Sequence, residues 1–447
     1  MPELTGRARF VHLFRRAGWG ASEAEVNAAM ALHPDEATAF SQAVSNMLSY
    51  HQTQEVPDRI VVTPATTDTN QLVLWWLERM VRTRRPLLEK MTYFWHDHFA
   101  TSRDKDGMDA AKMLRQNEFF RANAINYVEQ LLNGISRDPA TIIWLDLNTN
   151  RRTRPNENYA REVMELFALG IGTPADPNYS EDDIRQATKA FTGYTIGADG
   201  NFVLNAANHD PSIKTVLGRT CESGDDVNRI LVTHWKNGLN VCAHYLTAKL
   251  FSFFAYPVTV DDPVVRRLAP GFAANNLEVG WLVSAILSSE EFSSLRAYRA
   301  LVKSPVELAV EALRVLGAER VPTGILSRLA DQGQRLFYPP DVAGWPNGRV
   351  WVNASTVLSR CNMSAAIVNS LGKPATTEAG GPLVASYLTG LTTPEAKVDR
   401  VLGLLDDANV PAATRQSLLQ YAATATTDEK IRGLFNLVMA LPSYQLN

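Results

Sequence analysis

The sequence predicts a mostly α protein: a multi-helix globular bundle with one short β-hairpin and an irregular loop rich in proline, glycine and tryptophan. Three observations carry that expectation. Apolar residues recur at three- and four-residue spacing along most of the chain, as they do on one face of a helix. Proline, glycine or polar breaks separate these stretches. Only GYTIGADGNFVLN alternates like two paired strands, around Asp199-Gly200.

Taken in order, EAEVNAAMALHP and DEATAFSQAVSNMLSYH read as a first pair of helices, and the proline- and threonine-rich EVPDRIVVTPATTDTN connects them to the next block. QLVLWWLERMVRT, PLLEKMTYFWHDHFAT and GMDAAKMLRQNEFFRANAINYVEQLLNGIS follow as three successive helices, with Pro86 suited to a first turn. NENYAREVMELFALGIG aligns Tyr159, Val163, Leu166 and Phe167 on one apolar stripe, and Gly170 and Gly172 stop it. In YSEDDIRQATKAFTGY, Ser180 and Asp183 stand three apart as a capping box does. VNRILVTHW, VCAHYLTAKLFSFFAY and EVGWLVSAILSSEEF return to helix, and SPVELAVEALRVLGA opens on Ser304 as N-cap with Pro305 behind it. LFYPPDVAGWPNGRVWVNAST is the irregular loop, GKPATTEAGG is a linker or exposed loop, and helices resume to the end. These breaks divide the chain into an N-terminal helical segment (1–60), a helical core (61–362) and a C-terminal helical segment packed on it (363–447).

Composition narrows function. Of 447 residues, 45% are hydrophobic and 20% charged, as in an ordinary soluble interior. Lysine plus arginine (44) nearly balances aspartate plus glutamate (47), so no global charge draws the chain to nucleic acid or an anionic membrane. The three cysteines, Cys221, Cys242 and Cys361, are sparse and odd in number, which argues for reduced thiols over a disulfide framework. The first residues lack the apolar run of a signal peptide, and no stretch is long and apolar enough to span a bilayer, so a soluble cytoplasmic protein is expected. The phosphate-cradling GxxxxGK[ST], the GxSxG elbow, the dinucleotide GxGxxG and the HExxH zinc motif are all missing.

Four segments concentrate reactive side chains. MTYFWHDHFATS sets His96 and His98 two apart, about 200° on a helix, so one metal reaches both only if the helix has ended there. RPNENYARE places Asn156, Glu157, Asn158, Arg161 and Glu162 in the first turns of a helix. Glu157, Arg161 and Glu165 there form an ion ladder behind an Asn156 cap, or Glu162 is a carboxylate ligand or base oriented by Arg161 and Asn158. NHDPSIKTVLG offers His209, Asp210 and Lys214 in a loop, or an ordinary Asx turn before Pro211. PPDVAGWPNGRVW suits a rigid lid or pocket wall, or packing alone.

HLFRRAGWG, FWHDHFATS, NENYAREVMELFALGIG, DDIRQATKAFTGY, HDPSIKTVLG, LVKSPVEL, LFYPPDVAGWPNGRVWVNAST and the closing LPSYQLN together resemble the bacterial domain-of-unknown-function family numbered eighteen-hundred. The resemblance implies a largely helical fold and a co-encoded partner with a sulfatase- or phosphatase-like fold. Many members look exported, whereas this chain starts directly at the HLFRRAGWG region. The resemblance transfers no catalytic roles.

Three functional expectations follow. The first is an enzyme-like site for a divalent transition metal, held by His96, His98, Glu162, His209 and Asp210. Glu157 would then be the acid–base partner, Arg161 and Lys214 would hold an anionic substrate or orient a ligand, and Asn158 would be an outer support. The second is metal-free acid–base catalysis, with His96 or His98 as base oriented by Asp97 or Glu162. The third is a non-catalytic helical scaffold that binds the sulfatase/phosphatase-like neighbour through its aromatic runs.

Overall fold

Twenty α-helices lie among the residues that the computed structural model describes, 2–65, 68–406 and 410–447. Residues 66 and 67 of the proline- and threonine-rich connection lie outside that set. The helix starts follow the sequence closely. Ser180 and Asp183 form a full capping box on Glu181–Ala190. Ser304 and Glu307 form another on Pro305–Val315, with Pro305 in its first turn. Pro86 opens Pro86–His98, where its missing N–H costs no helix bond.

Two local readings change. GMDAAKMLRQNEFFRANAINYVEQLLNGIS is two helices, Ala110–Ala122 and Val128–Ser136. Asn123 ends the first by donating its side-chain amide to Phe119 O (2.9 Å), and Tyr127 pairs with Glu278 before the second begins. The hairpin Tyr194–Ile196/Phe202–Leu204 forms as expected, but three more two-stranded pairs accompany it among the described residues. Two of these turn on Leu217-Gly218 and Asn237-Gly238, whose four φ angles (50°, 73°, 52° and 77°) all lie in the left-handed region that a type I′ turn requires. No helix among the described residues is long and apolar enough to cross a membrane.

Buried apolar side chains form two clusters. One joins residues from Phe10 to Met47 with residues from Leu87 to Ala297. The other joins Trp19, the helix Thr69–Arg82 and residues from Val306 to Tyr444. The helix Pro86–His98 serves both: Leu88, Met91, Phe94 and Trp95 pack into the first cluster and Tyr93 into the second. Every residue from Leu87 to His96 is buried, so this helix has no solvent face on which to place its polar groups. Each must find a partner instead. Glu89 binds Arg121 (2.7 Å) and Trp76 Nε1–H (2.9 Å), Lys90 binds Glu307 (2.5 Å), and Thr92 donates to Leu88 O (2.8 Å). Trp95 donates its indole N–H to Ala124 O (2.8 Å), so its ring is buried without an orphaned donor, worth about 2–3 kcal/mol.

Candidate functional site

The C-terminal end of the helix Pro86–His98 opens into a cleft of about 400 Å³ between the two clusters. Tyr93, Phe94, Asp97 and His98 line one wall, Lys249 and Phe253 of the helix Val241–Phe254 another. Ser304 and Glu307 stand at the start of Pro305–Val315, Arg16 comes from the end of Gly6–Ala17, and Trp345 and Trp351 from the irregular loop close the remaining side. Two more open hollows, of about 530 and about 430 Å³, lie among polar residues of the C-terminal region.

Asp97 ties the loop to the helix. Its Oδ1 accepts the backbone N–H of Trp345 at 2.8 Å. Gly344 makes that approach feasible: it has φ +86°, and a Cβ there would lie 2.4 Å from Asp97 Oδ1 and 2.6 Å from Asp97 O. Oδ2 has no hydrogen bond among the described residues. Burial pushes the Asp97 carboxyl up to about 7, and the Trp345 N–H and Lys249 pull it back only in part. Glu307 has the opposite environment. Burial alone would raise it, but Lys90 and Arg16 outweigh that effect and hold it at about 2. The cleft thus holds one carboxyl that changes charge near neutrality beside one that stays ionised.

A π-helical segment, Val163–Ala168, continues directly from the α-helical turn Asn158–Glu162 and supports the floor. Widening the helix displaces its carbonyls from the i→i−4 ladder and leaves them free to accept from side chains. Tyr245 Oη donates to Leu166 O (2.7 Å) and His98 Nε2–H to Phe167 O (3.0 Å). Gly170, φ +71°, ends the segment where a Cβ would strike the Tyr245 ring at 2.8 Å.

The histidines part company. His96 turns into the second cluster, where Nε2 accepts the Phe337 N–H (3.1 Å) and the ring sits among Trp76, Phe337 and Trp345 at centroid distances of 5.1–5.5 Å. His98 faces the other way, stacked on Phe94 at 5.7 Å. Burial lowers both rings to about 3, so both are neutral near pH 7, and Lys249 adds to the shift at His98. With Nε2–H committed to Phe167 O, His98 Nδ1 carries the lone pair.

The remaining expected residues lie on other elements. Arg161 bridges Glu157 and Glu181, each at 2.8 Å, on an exposed face, and Asn158 is exposed with its N–H on Asn156 Oδ1 (3.1 Å). Glu162 is partly buried, and burial followed by the neighbouring Glu165 raises its carboxyl. His209 Nδ1 bonds Thr192 O (2.8 Å). Asp210 accepts from Ser212 N–H (2.8 Å) and Oγ–H (2.6 Å) in an Asx turn, and these bonds lower its carboxyl. Lys214 is buried, its ammonium donating to Asp210 O (2.5 Å) and Glu222 O (2.9 Å). Among the described residues, no group of three or more His, Cys, Asp or Glu side chains is arranged to hold a metal ion, so His96, His98, Glu162, His209 and Asp210 do not form one ligand set.

The structure instead brings forward Lys249, Arg16, Glu307 and Trp345. One signal was visible: Lys249 is a lone cation in the apolar run VCAHYLTAKLFSFFAY. Glu307 was hidden by its second duty, since its place in the capping box already accounts for it.

Fold and cleft together define a mostly α protein whose two cores meet around a hollow lined by both charged and apolar side chains. The chain belongs to the family described as protein of unknown function (DUF1800), whose pattern matches residues 12–446. No curated protein and no solved structure matches it.

Proposed function

We propose that this protein is a metal-free acid–base enzyme whose proton-transferring group is Asp97. The observation that carries the reading is a carboxyl with one oxygen fixed by Trp345 N–H, the other open to the cleft, and an affinity for protons of about pH 7. A group poised there exchanges protons with a substrate in either direction at neutral pH. Lys249 faces it and stabilises negative charge as it develops, on the carboxylate or on the substrate. His98, neutral and held by Phe167 O, presents an acceptor nitrogen that orients a substrate hydroxyl or amide, and takes the place that the sequence reading gave to a histidine base. Asp97 is the general acid or base because its proton affinity suits the task, whereas both histidines hold protons too weakly.

The reading depends neither on a cytoplasmic location nor on the sulfatase/phosphatase-like neighbour that the resemblance implies. It is tested by assaying a panel of acyl, phosphoryl and glycosyl compounds between pH 5 and pH 9 with the wild type and Asp97→Asn. The expected result is turnover with a limb near pH 7, reduced about 10²–10⁴-fold by the substitution. Turnover that Asp97→Asn leaves intact would overturn it.

A further inference from the structure

The cations of the cleft exceed its acids in what they have left to bind. Lys249 is exposed at the cleft and makes no ion pair or hydrogen bond among the described residues; its ammonium lies 5.5 Å from the Tyr245 ring. Arg16 is 1% exposed, and its Nε and Nη2 donate to the carbonyls of Phe254 and Phe253, which leaves Nη1 without a hydrogen bond among the described residues. The one fully ionised acid, Glu307, is already occupied by Lys90 at 2.5 Å and by Ser304 N–H at 2.8 Å. Asp97 adds at most one negative charge. The cleft is therefore electropositive, the more so when Asp97 carries its proton.

A second observation points the same way. Trp345 lines the cleft and is 4% exposed, yet its indole Nε1–H has no hydrogen-bond partner among the described residues. Leaving a buried donor unsatisfied is unfavourable, so an acceptor in the cleft that reached this N–H would be stabilised by it. Much of the remaining lining is apolar, with Phe94, Phe253 and Trp351 among its aromatic side chains and Leu166, Leu301 and Val302 among its aliphatic ones. Cations and an orphaned N–H beside aromatic walls match a ligand with an anionic head and an apolar body.

We propose that the cleft binds a small amphipathic carboxylate, its head taken by Lys249, Arg16 and the Trp345 indole N–H and its body laid against Phe94, Phe253 and Trp351. This names the ligand class for the cleft in which Asp97 is placed as the acid–base group, but it stands on charge and shape and not on proton transfer.

Three matched probes test it by titration calorimetry on the full chain: 4-phenylbutyrate, 4-phenylbutanol and 4-phenylbutylammonium, identical except in head group. The expected order is carboxylate tightest, alcohol weaker by about ten-fold or more, and ammonium weakest. Lys249→Gln, at an exposed position without an ion pair, should keep the fold and weaken the carboxylate about ten-fold, and Lys249→Arg should restore most of the loss. Equal binding of carboxylate and alcohol, tighter binding of the ammonium, an unchanged affinity in Lys249→Gln, or no binding of any probe at millimolar concentration overturns the proposal. Carboxylate preference in a protein whose Asp97→Asn variant turns over normally would retire the acid–base reading and keep this one.

Discussion

Replacing Asp97 by asparagine isolates the ionisation on which the account rests. Asparagine keeps the oxygen that accepts Trp345 N–H at 2.8 Å and nearly the same volume, so the loop stays tied while the charge is lost. In the folded protein the carboxyl titrates at about 7, against an ordinary value of 3.8. Between those values the native state holds a proton that the unfolded chain has released. Stability from this group is therefore highest below about pH 4, falls as pH rises, and levels off above about pH 7. A shift from 3.8 to about 7 corresponds to about 4 kcal/mol, reduced to about 2–4 kcal/mol because Asp97 is only partly buried. Urea denaturation of the two proteins at several values between pH 5 and pH 8.5 reads the difference. Asp97→Asn should gain on the wild type up to about pH 7 and then hold a lead of about 2–4 kcal/mol to pH 8.5. A difference that does not change with pH would refute the reasoning, because it would mean Asp97 is already ionised throughout that range.

Other perturbations follow from the same geometry. Gly344→Ala forces a Cβ to 2.4 Å from Asp97 Oδ1 at φ +86°, and should cost about 1–3 kcal/mol in thermal unfolding and change the Trp345 fluorescence. Glu307→Gln strands the buried Lys90 and should cost about 3 kcal/mol at pH 7 in denaturant titrations. Because Glu307 is held at about 2, its contribution is present above the ordinary carboxylate value and is lost as pH falls through about 2, so the wild type and this variant should converge in acid. His98→Ala removes the donor to Phe167 O and the ring stacked on Phe94, and should cost about 2–4 kcal/mol by urea midpoint. Arg161→Ala breaks an exposed ladder away from the cleft and should leave 4-phenylbutyrate affinity unchanged by calorimetry.

The local rules were readable in the chain. The box at Ser180, the N-cap at Ser304 with Pro305 behind it, Pro86 at a helix start and the Asp199-Gly200 hairpin each depend on neighbours within a few residues, and each is found as read. Asn237-Gly238 carried as strong a hairpin signal, but its strands are only two residues each, too short to show alternation. The candidate cleft takes in two of the four reactive segments, each only in part. MTYFWHDHFATS does reach the cleft, through Asp97 and His98, while the helical rotation between His96 and His98 sends the other ring into a core. Glu157, Arg161, His209, Asp210 and Lys214 are the residue types that chemistry uses, yet a salt ladder, a backbone carbonyl and an Asx turn already engage them. Partners 20 residues apart (Arg161 and Glu181) or 248 apart (Asp97 and Trp345) are set by tertiary packing, which spacing along one chain does not encode.

The most direct test is the ionisation of Asp97 itself. Carbon-13 NMR of aspartate-labelled protein, with Asp97→Asn to assign the carboxyl resonance, follows that group alone from pH 3 to pH 9. A midpoint near 7 is the predicted result. A midpoint near the ordinary 3.8 would show a permanently charged carboxylate and contradict the account at its centre.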